Sequence, residues 1–439
     1  MADGSVSVRV TRRGFLRSAV AGAAAAPFIL PGSARGANDR VTLGVIGTGG
    51  RGTAVMRSFL PLDGLAVVAV CDAQKARREK ARRLVATHEA ERAGTGGQGG
   101  PAAVADFREV LGRKDVDAVL LAPQDHWHAP MAVRAAAAGK DIYCEKPLGC
   151  AVADSQAIRD AVQRYGCVFQ TGTQQRSSRN FRHASELARN GYLGKVHTVT
   201  VAAPGPHYQP KYTGPMTPQP VPDGFAWDLY VGPAPARPYN PGLHAWPDWY
   251  LIWDYCDGFI VNWGVHHLDI AHWGCPAIGQ EAFTLTCKGA FRTKGFTDNI
   301  SDWQAEYRFA SGLRMRFSDT GHPYAQGCRF RGDKGWVHVN RQGIRAEPAS
   351  LLSVAMKPSD ERLHASTHHQ ADFLKAVRSR GQPVAPVAAG HVASTLGFLA
   401  QVAARVGRPI AWQWQGERLK ADADAGRLLA RPVRSPWQL

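Results

Sequence analysis

The chain has 439 residues, of which 44% are hydrophobic, 20% charged and 9% aromatic, which excludes wholesale disorder and leaves length for two or three domains around large cores. Its formal net charge is +17, from 53 Lys+Arg against 36 Asp+Glu, a balance that by itself suits nucleic acid or an anionic surface. The basic residues are mostly scattered arginines with no aromatic-interleaved block, so no nucleic-acid partner is expected.

Residues 1–37 carry part of the excess: Arg9, Arg12, Arg13, Arg17 and Arg35 stand against Asp3 alone, and without this stretch the charge falls to +13. The paired Arg12-Arg13, an Ala-rich apolar run from Ser18 to Leu30, Pro31 and the small residues Ala34 and Ala37 follow in order. That order predicts a twin-arginine (Tat) signal peptide over residues 1–37, cut between Ala34 and Ala37. The run is too short and too rich in Ala and Gly for a good membrane span. The mature chain is therefore expected to be exported by the Tat machinery to the periplasm or another extracytoplasmic space, with no stable membrane span. Tat passengers cross already folded, which suits a cofactor inserted before export. The eight cysteines, at 71, 144, 150, 167, 256, 275, 287 and 328, include no CxxC pair and are expected to be free and mostly buried.

After the leader, Val41–Ile46 is an apolar run suited to a parallel strand buried on both faces. Gly47-Thr48-Gly49-Gly50-Arg51-Gly52 follows directly and fits G-x-G-x-x-G, with a helix expected over Thr53–Leu60. Gly47 permits the tight turn, Gly49 lets the backbone approach a pyrophosphate, and Gly52 lets helix and strand pack closely. Leu65–Val70 is a second strand leading to Asp72, which lies 20 residues after Gly52, the spacing of a carboxylate that bonds the adenosine ribose. Its charge would repel a 2′-phosphate, so NAD is favoured over NADP, although Arg77 and Arg78 stand nearby. Lys75–Ala93 is a charged helix, 94–101 a Gly-rich loop, Asp106–Leu111 the start of a helix, Val116–Pro123 a strand, Pro130–Ala138 a helix and Asp141–Cys144 a strand. This alternation predicts a doubly wound parallel Rossmann sheet over residues 38–160. Ligands sit at the carboxyl ends of such strands. Gln124–His128 and Glu145-Lys146-Pro147 lie there, and His126 and His128 are expected to line the cofactor cleft.

Residues 161–439 form the expected second domain. Ser178–Asn190 is a helix, Val196–Ala203 a strand, and Ala282–Lys288, Asp302–Phe309, Leu313–Ser318, Gly327–Gly332 and Trp336–Asn340 are short strands separated by turns. Consecutive strands predict a large, mostly antiparallel sheet, and later helices are expected at His368–Ser379 and His391–Val406. Between them, Pro204–Trp253 is long, irregular and rich in Pro, Gly, Trp and Tyr. Such a segment either offers aromatic faces to sugar rings or wraps the sheet edge.

Four motifs, Gly47–Gly52, Glu145-Lys146-Pro147, Gly172-Thr173-Gln174-Gln175-Arg176-Ser177 and Asn262-Trp263-Gly264-Val265-His266-His267-Leu268-Asp269, together resemble the Gfo/Idh/MocA oxidoreductases, which include glucose–fructose oxidoreductase and inositol dehydrogenase. The resemblance runs from about residue 40 to the C-terminus. It implies an α/β protein, a Rossmann domain followed by an α/β domain whose open sheet carries the substrate pocket on one side and an interface between copies, hence a homo-oligomer, on the other. It implies Lys146 and His266 as the groups that polarise the substrate hydroxyl and take its proton. The family aspartate of Asp-x-x-x-His falls at Asn262, which can orient an imidazole by hydrogen bonding but cannot balance an imidazolium with a full charge. Asp269 is a substitute carboxylate, with Asp254 and Asp257 more distant. Glu145, Lys146 and Gln174, with Gln175, are expected around the nicotinamide and substrate. A metal at His266, His267, His272, Asp254 and Asp269 is the weaker pattern, and none is expected.

Three functions fit these residues. The leading one is an exported oxidoreductase that moves a hydride between tightly bound NAD and a CH–OH group of a sugar, polyol or derivative. The second is a redox-neutral glycosidase, in which transient oxidation acidifies a neighbouring C–H and allows elimination of the aglycone. The third is a non-catalytic sugar-binding protein, kept open by Asn262.

Overall fold

The structure, a computed structural model, describes residues 40–93, 100–205, 209–320 and 325–438. The signal-peptide expectation at 1–37 and most of the 94–101 loop lie outside the described residues.

Six parallel strands form the first sheet: β1 (Val41–Ile46), β2 (Leu65–Cys71), β3 (Ala102–Val104), β4 (Ala118–Leu121), β5 (Asp141–Cys144) and β6 (Phe169–Thr171). They are ordered β3-β2-β1-β4-β5-β6. β1, β4 and β5 are buried almost throughout, because helices cover both faces and apolar runs rather than alternating ones suit such strands. The order reverses between β1 and β4, so the loops after these strands diverge and leave a crevice at their carboxyl ends. The sheet takes β6 from beyond residue 160, where the sequence places the boundary. A C-terminal helix, His369–Ser379, also returns to this first unit, with Phe373 packed edge-on against Phe59 and Tyr143 at ring distances of 6.1 and 5.8 Å.

The second sheet has nine strands: β7 (Val196–Ala203), β8 (Phe283–Phe291), β9 (Ile300–Phe309), β10 (Arg314–Asp319), β11 (Gly327–Gly332), β12 (Gly335–Asn340), β13 (Gly343–Glu347), β14 (Ile410–Gln413) and β15 (Arg418–Leu419). Their order is β13-β12-β11-β7-β10-β9-β8-β14-β15, and every pairing is antiparallel except β7 with β10. Alternation sends Val199, Val201, Met315, Phe317, Phe330 and Val339 into one buried core, beneath helices that include Val265–Gly274 and Val387–Val406. Val387–Val406 is the one described helix long and apolar enough to cross a membrane, and most of it is buried inside the protein. All eight cysteines are free, six of them buried.

The described part of the 204–253 segment spends most of its aromatic rings on itself. Phe225, Trp227, Tyr230, Tyr239, Leu243, Ile252 and Tyr255 make a separate small core, with Trp227 stacked on Tyr230 at 5.1 Å. A broad open aromatic face is therefore not what this segment builds. Trp246 is the exception, at 55% exposure.

Candidate active site

The glycine turn after β1 is shaped by close approach. Gly47 has φ +86°, and a Cβ there would strike the Ala122 backbone at the end of β4, while one on Gly52 would overlap the Gly47 carbonyl oxygen. Gly49 and Gly50 differ: a Cβ on Gly49 would meet only the Arg77 guanidinium at 3.5 Å, and on Gly50 nothing. The helix Gly50–Phe59 starts at this opening, so its unpaired N–H groups border space free of side chains, which fits a pyrophosphate. Asp72 accepts from the Thr48 N–H at 2.9 Å and its hydroxyl at 3.2 Å, and from the Gln74 N–H at 2.9 Å. It thereby ties the end of β2 to the glycine turn.

A pocket beside Asp72 is walled by Phe107, Trp127, Met131, Leu229 and Tyr230. The 204–253 segment closes it: the Lys75 N–H donates to the Gly224 carbonyl at 2.8 Å and the Ala226 N–H to that of Ala73 at 3.0 Å, around an antiparallel bridge between Gln74 and Phe225. An apolar slot ending at a ribose-directed carboxylate is the shape an adenosine requires.

Where the loops after β5 and β6 meet the second domain lies a cleft of about 520 Å³ lined by Arg51, Lys146, Gln174, Asn262 and His266, with Trp246, Tyr250, Trp263 and Arg341 among its other walls. The Lys146 ammonium donates to the backbone and side-chain oxygens of Asn262, both at 2.9 Å. The Asn262 amide N–H₂ donates in turn to both oxygens of Asp125, at 3.0 and 2.8 Å, and the Cys256 thiol donates to Asp125 at 3.1 Å. A carboxylate accepts and an ammonium donates, so the two neighbours leave the Asn262 amide only one orientation. Burial pushes the Asp125 carboxyl up, against His128, Lys146 and the Asn262 hydrogen bonds. Burial lowers Lys146, opposed by Glu145 and Asp125. Burial alone would raise Glu145, but Arg51 and Lys146 outweigh it and hold it below the usual carboxylate range. Glu145 accepts from Arg51 at 3.0 Å and from the Gln174 amide at 2.9 Å. His266 is pushed well below the ordinary imidazole range by burial, then by Lys146, Arg341 and Arg51, so its ring is neutral.

The structure thus brings Lys146, Asn262, His266, Glu145, Gln174 and Arg51 to one cleft, but it pairs them differently from the sequence expectation. Asn262 ends one short helix, Gly258–Asn262, and His266 lies in the next. Asn262 bonds Lys146 and Asp125 and not His266, whose Nδ1 is buried without a partner. The carboxylates offered as substitutes are engaged elsewhere. Asp269 makes a buried two-bond pair with Arg176 at 2.7 and 2.8 Å, Asp254 pairs with Arg237, and Asp257 with Arg431. His126 and His128 sit behind the cleft wall rather than on it. The two ring nitrogens of His126 face the carbonyls of Tyr255 and Tyr230 at 3.3 and 3.2 Å, and burial lowers its pKa to about 4. His128 Nδ1–H donates to the Pro147 carbonyl at 2.6 Å, which steadies the loop carrying Lys146. No group of three or more His, Cys, Asp or Glu side chains suited to a metal occurs among the described residues. Asp125 and Cys256 are the functional neighbours sequence reading missed. The available signal was a carboxylate at the carboxyl end of β4, masked by two adjacent histidines.

Family models agree with this division. An oxidoreductase-family NAD-binding Rossmann fold of Gfo/Idh/MocA type matches residues 41–173, and the oxidoreductase-family C-terminal alpha/beta domain matches residues 178–439. Among curated proteins, myo-inositol 2-dehydrogenase of Thermotoga maritima is 26% identical over 164 residues, 37% of this chain and 45% of the relative. A glycosyl hydrolase family 109 protein of Saccharopolyspora erythraea is 31% identical over 170 residues, 36% of this chain and 34% of that one. The chain spans less than half the length of these curated relatives in the matches. Among solved structures, an aldose-aldose oxidoreductase from Caulobacter crescentus complexed with glycerol has a TM-score of 0.61 at 19% identity, covering 84% of this chain and 99% of that one. Scyllo-inositol dehydrogenase from Lactobacillus casei with bound NAD(H) and scyllo-inositol has a TM-score of 0.58 at 15% identity, covering 85% and 99%. These neighbours share the fold.

Proposed function

The chain belongs to the Gfo/Idh/MocA oxidoreductase family, and within it we propose a dehydrogenase that acts on a CH–OH group of a sugar or polyol with NAD kept bound between turnovers. The observation that carries this reading is the convergence of Lys146, Asn262 and neutral His266 on one cleft beside the glycine turn. Export by the Tat machinery and assembly into a homo-oligomer belong to the same proposal. The paired arginines of the leader support the first, and the open second sheet supports the second. Outside the cytoplasm free NAD is scarce, and the Gln74–Phe225 closure supports retention of the cofactor there.

NAD, which the opening at Gly49 and Gly50 and the Asp72 carboxylate would hold, would supply the hydride acceptor. Lys146 spends hydrogen bonds on the two Asn262 oxygens, which aims its remaining N–H at the substrate oxygen and favours the alkoxide character that develops as the hydroxyl proton leaves, before loss of hydride from the carbon gives the carbonyl. His266 lines the same cleft with a ring that burial and the neighbouring cations keep neutral, and in this reading it is the group that takes the hydroxyl proton. Glu145, held ionised by Arg51 and Lys146, keeps its negative charge beside the reaction centre.

The test uses the purified chain with its cofactor. Nicotinamide is assayed in the supernatant after denaturation, and the intact protein is offered monosaccharides and polyols while reduced-cofactor absorbance is followed. Lys146→Ala and His266→Ala are each expected to cut turnover by about 10²-fold or more, the range of a positioned acid–base group, with bound cofactor retained. Full turnover in both variants overturns the assignment. The glycosyl hydrolase names among the relatives favour one second reading, redox-neutral glycoside cleavage. Aglycone release from aryl glycosides without net cofactor reduction would select it.

A further inference from the structure

The charge around the cleft is one-sided. Arg51, Lys146 and Arg341 line it with no carboxylate among its walls in the described residues, and behind them Glu145 pairs with Arg51 while Glu145 and Asp125 act on Lys146. Arg51 is matched to Glu145 at 3.0 Å, and Lys146 is anchored on Asn262. Arg341 forms no ion pair among the described residues, and the more distant Glu145 is the one carboxylate that favours its charge. Its guanidinium lies 4.8 Å over the Trp263 ring, and its Nε–H reaches the Gln175 side-chain oxygen at 3.3 Å once that amide is turned to satisfy its neighbours. A guanidinium held over an indole by a cation–π contact still has N–H groups to offer an anion as a fork. At the rim, Lys211 stands 5.2 Å over the Trp246 ring.

The position of Arg341 separates this charge from the needs of the cofactor. Arg341 stands between β12 and β13 of the second sheet and over Trp263, and reaches Gln175 in the loop after β6, whereas the opening fit for pyrophosphate lies at Gly49 and Gly50 after β1. Trp246, the exposed ring in the same cleft, suits the C–H face of a sugar ring.

We propose that the substrate is an anionic sugar or polyol, bearing a carboxylate or a phosphate that the Arg341 guanidinium receives while Lys146 and His266 face the reacting hydroxyl. This deepens the dehydrogenase reading and rests on its placement of the substrate in this cleft. The experiment is titration calorimetry on the cofactor-loaded protein with glucuronate, glucose 6-phosphate and glucose, at low and high salt. At least one acid is expected to bind about tenfold or more tightly than glucose at low salt, with the advantage shrinking as salt screens the charge. The stronger arm identifies carboxylate or phosphate. In Arg341→Gln the acid-to-neutral ratio is expected to fall towards one, and in Arg341→Lys to recover in part. Equal binding of acid and neutral sugars, no binding of either acid, or an advantage that survives Arg341→Gln overturns the proposal. Cofactor content of each variant confirms its fold. Reduction of bound cofactor by the sugar panel is scored separately, so loss of the dehydrogenase reading is distinguishable from loss of the anion site.

Discussion

At position 262 an amide stands between a cation and a carboxylate, and this arrangement reverses the effect expected of a carboxylate there. Asn262→Asp would restore the family pattern in sequence, yet its new oxygen would face Asp125 at the present 2.8–3.0 Å separation. Two carboxylates that close cannot both ionise, so the pair would hold a proton and one pKa would rise. The expected outcome is a kcat/KM about tenfold or more below the parent at neutral pH, with the acid limb of the pH profile moved upward. The double variant Asp125→Asn with Asn262→Asp re-forms one amide and one carboxylate and is expected to recover much of the loss, a coupling that a double-mutant cycle reads directly. An Asn262→Asp enzyme as active as the parent at every pH would refute the coupling. Lys146, His266 and Asn262 were legible in the sequence because short motifs mark them. Asp125 was not, because its partner lies 137 positions away and only the fold brings the two together.

Among elements, the 204–253 segment shows what patterning leaves out. Its composition announced a site-shaping loop, but an irregular run has no period to say which side faces inward. In the structure its rings build a plug over the adenosine slot, with Phe225 edge-on to Trp227 and Tyr230 at 5.5 Å each, to Tyr239 at 5.8 Å and to His244 at 5.1 Å. Phe225 is also the residue bridged to Gln74 beside Asp72. Phe225→Ala removes a packed ring worth about 3–5 kcal/mol in a typical core, and here the loss falls on the closure. We expect a protein that still folds but releases its dinucleotide about tenfold or more faster, as a 1.4 kcal/mol share of that loss suffices for. Repeated ultrafiltration with nicotinamide assayed in the filtrate measures it. A variant that keeps its cofactor as the parent does would show that the plug does not govern release.

Across the whole molecule, the two sheets were legible as two kinds of strand pattern, but the return of the C-terminal third onto both was not. An amphipathic helix such as His369–Ser379 declares that one face is covered without saying by what, and Phe373 finds Phe59 and Tyr143 across 314 and 230 positions of chain. A similar long-range tie gathers at Glu417, on the turn between β14 and β15. It accepts from the Gln156 amide at 2.8 Å and from Arg159 on the helix Val152–Tyr165, and its carboxylate lies 3.0 Å from His391 Nε2 on Val387–Val406. Burial would raise its carboxyl, but the hydrogen bonds from His391, Arg159 and Gln156 prevail and lower it to about 2. A carboxyl whose folded pKa lies below its unfolded value stabilises the fold above the unfolded value, near 4.3 in model peptides. That contribution is lost as pH falls towards 2. At 1.36 kcal/mol per unit the contribution at neutral pH is at most about 3 kcal/mol. Glu417→Gln is therefore expected to unfold at lower denaturant than the parent at pH 7, with the two converging between pH 4.3 and 2. Denaturant midpoints across that range check it, and a gap that stays constant down to pH 2 would mean that packing at the turn, rather than the charge, holds the C-terminal strands to the rest.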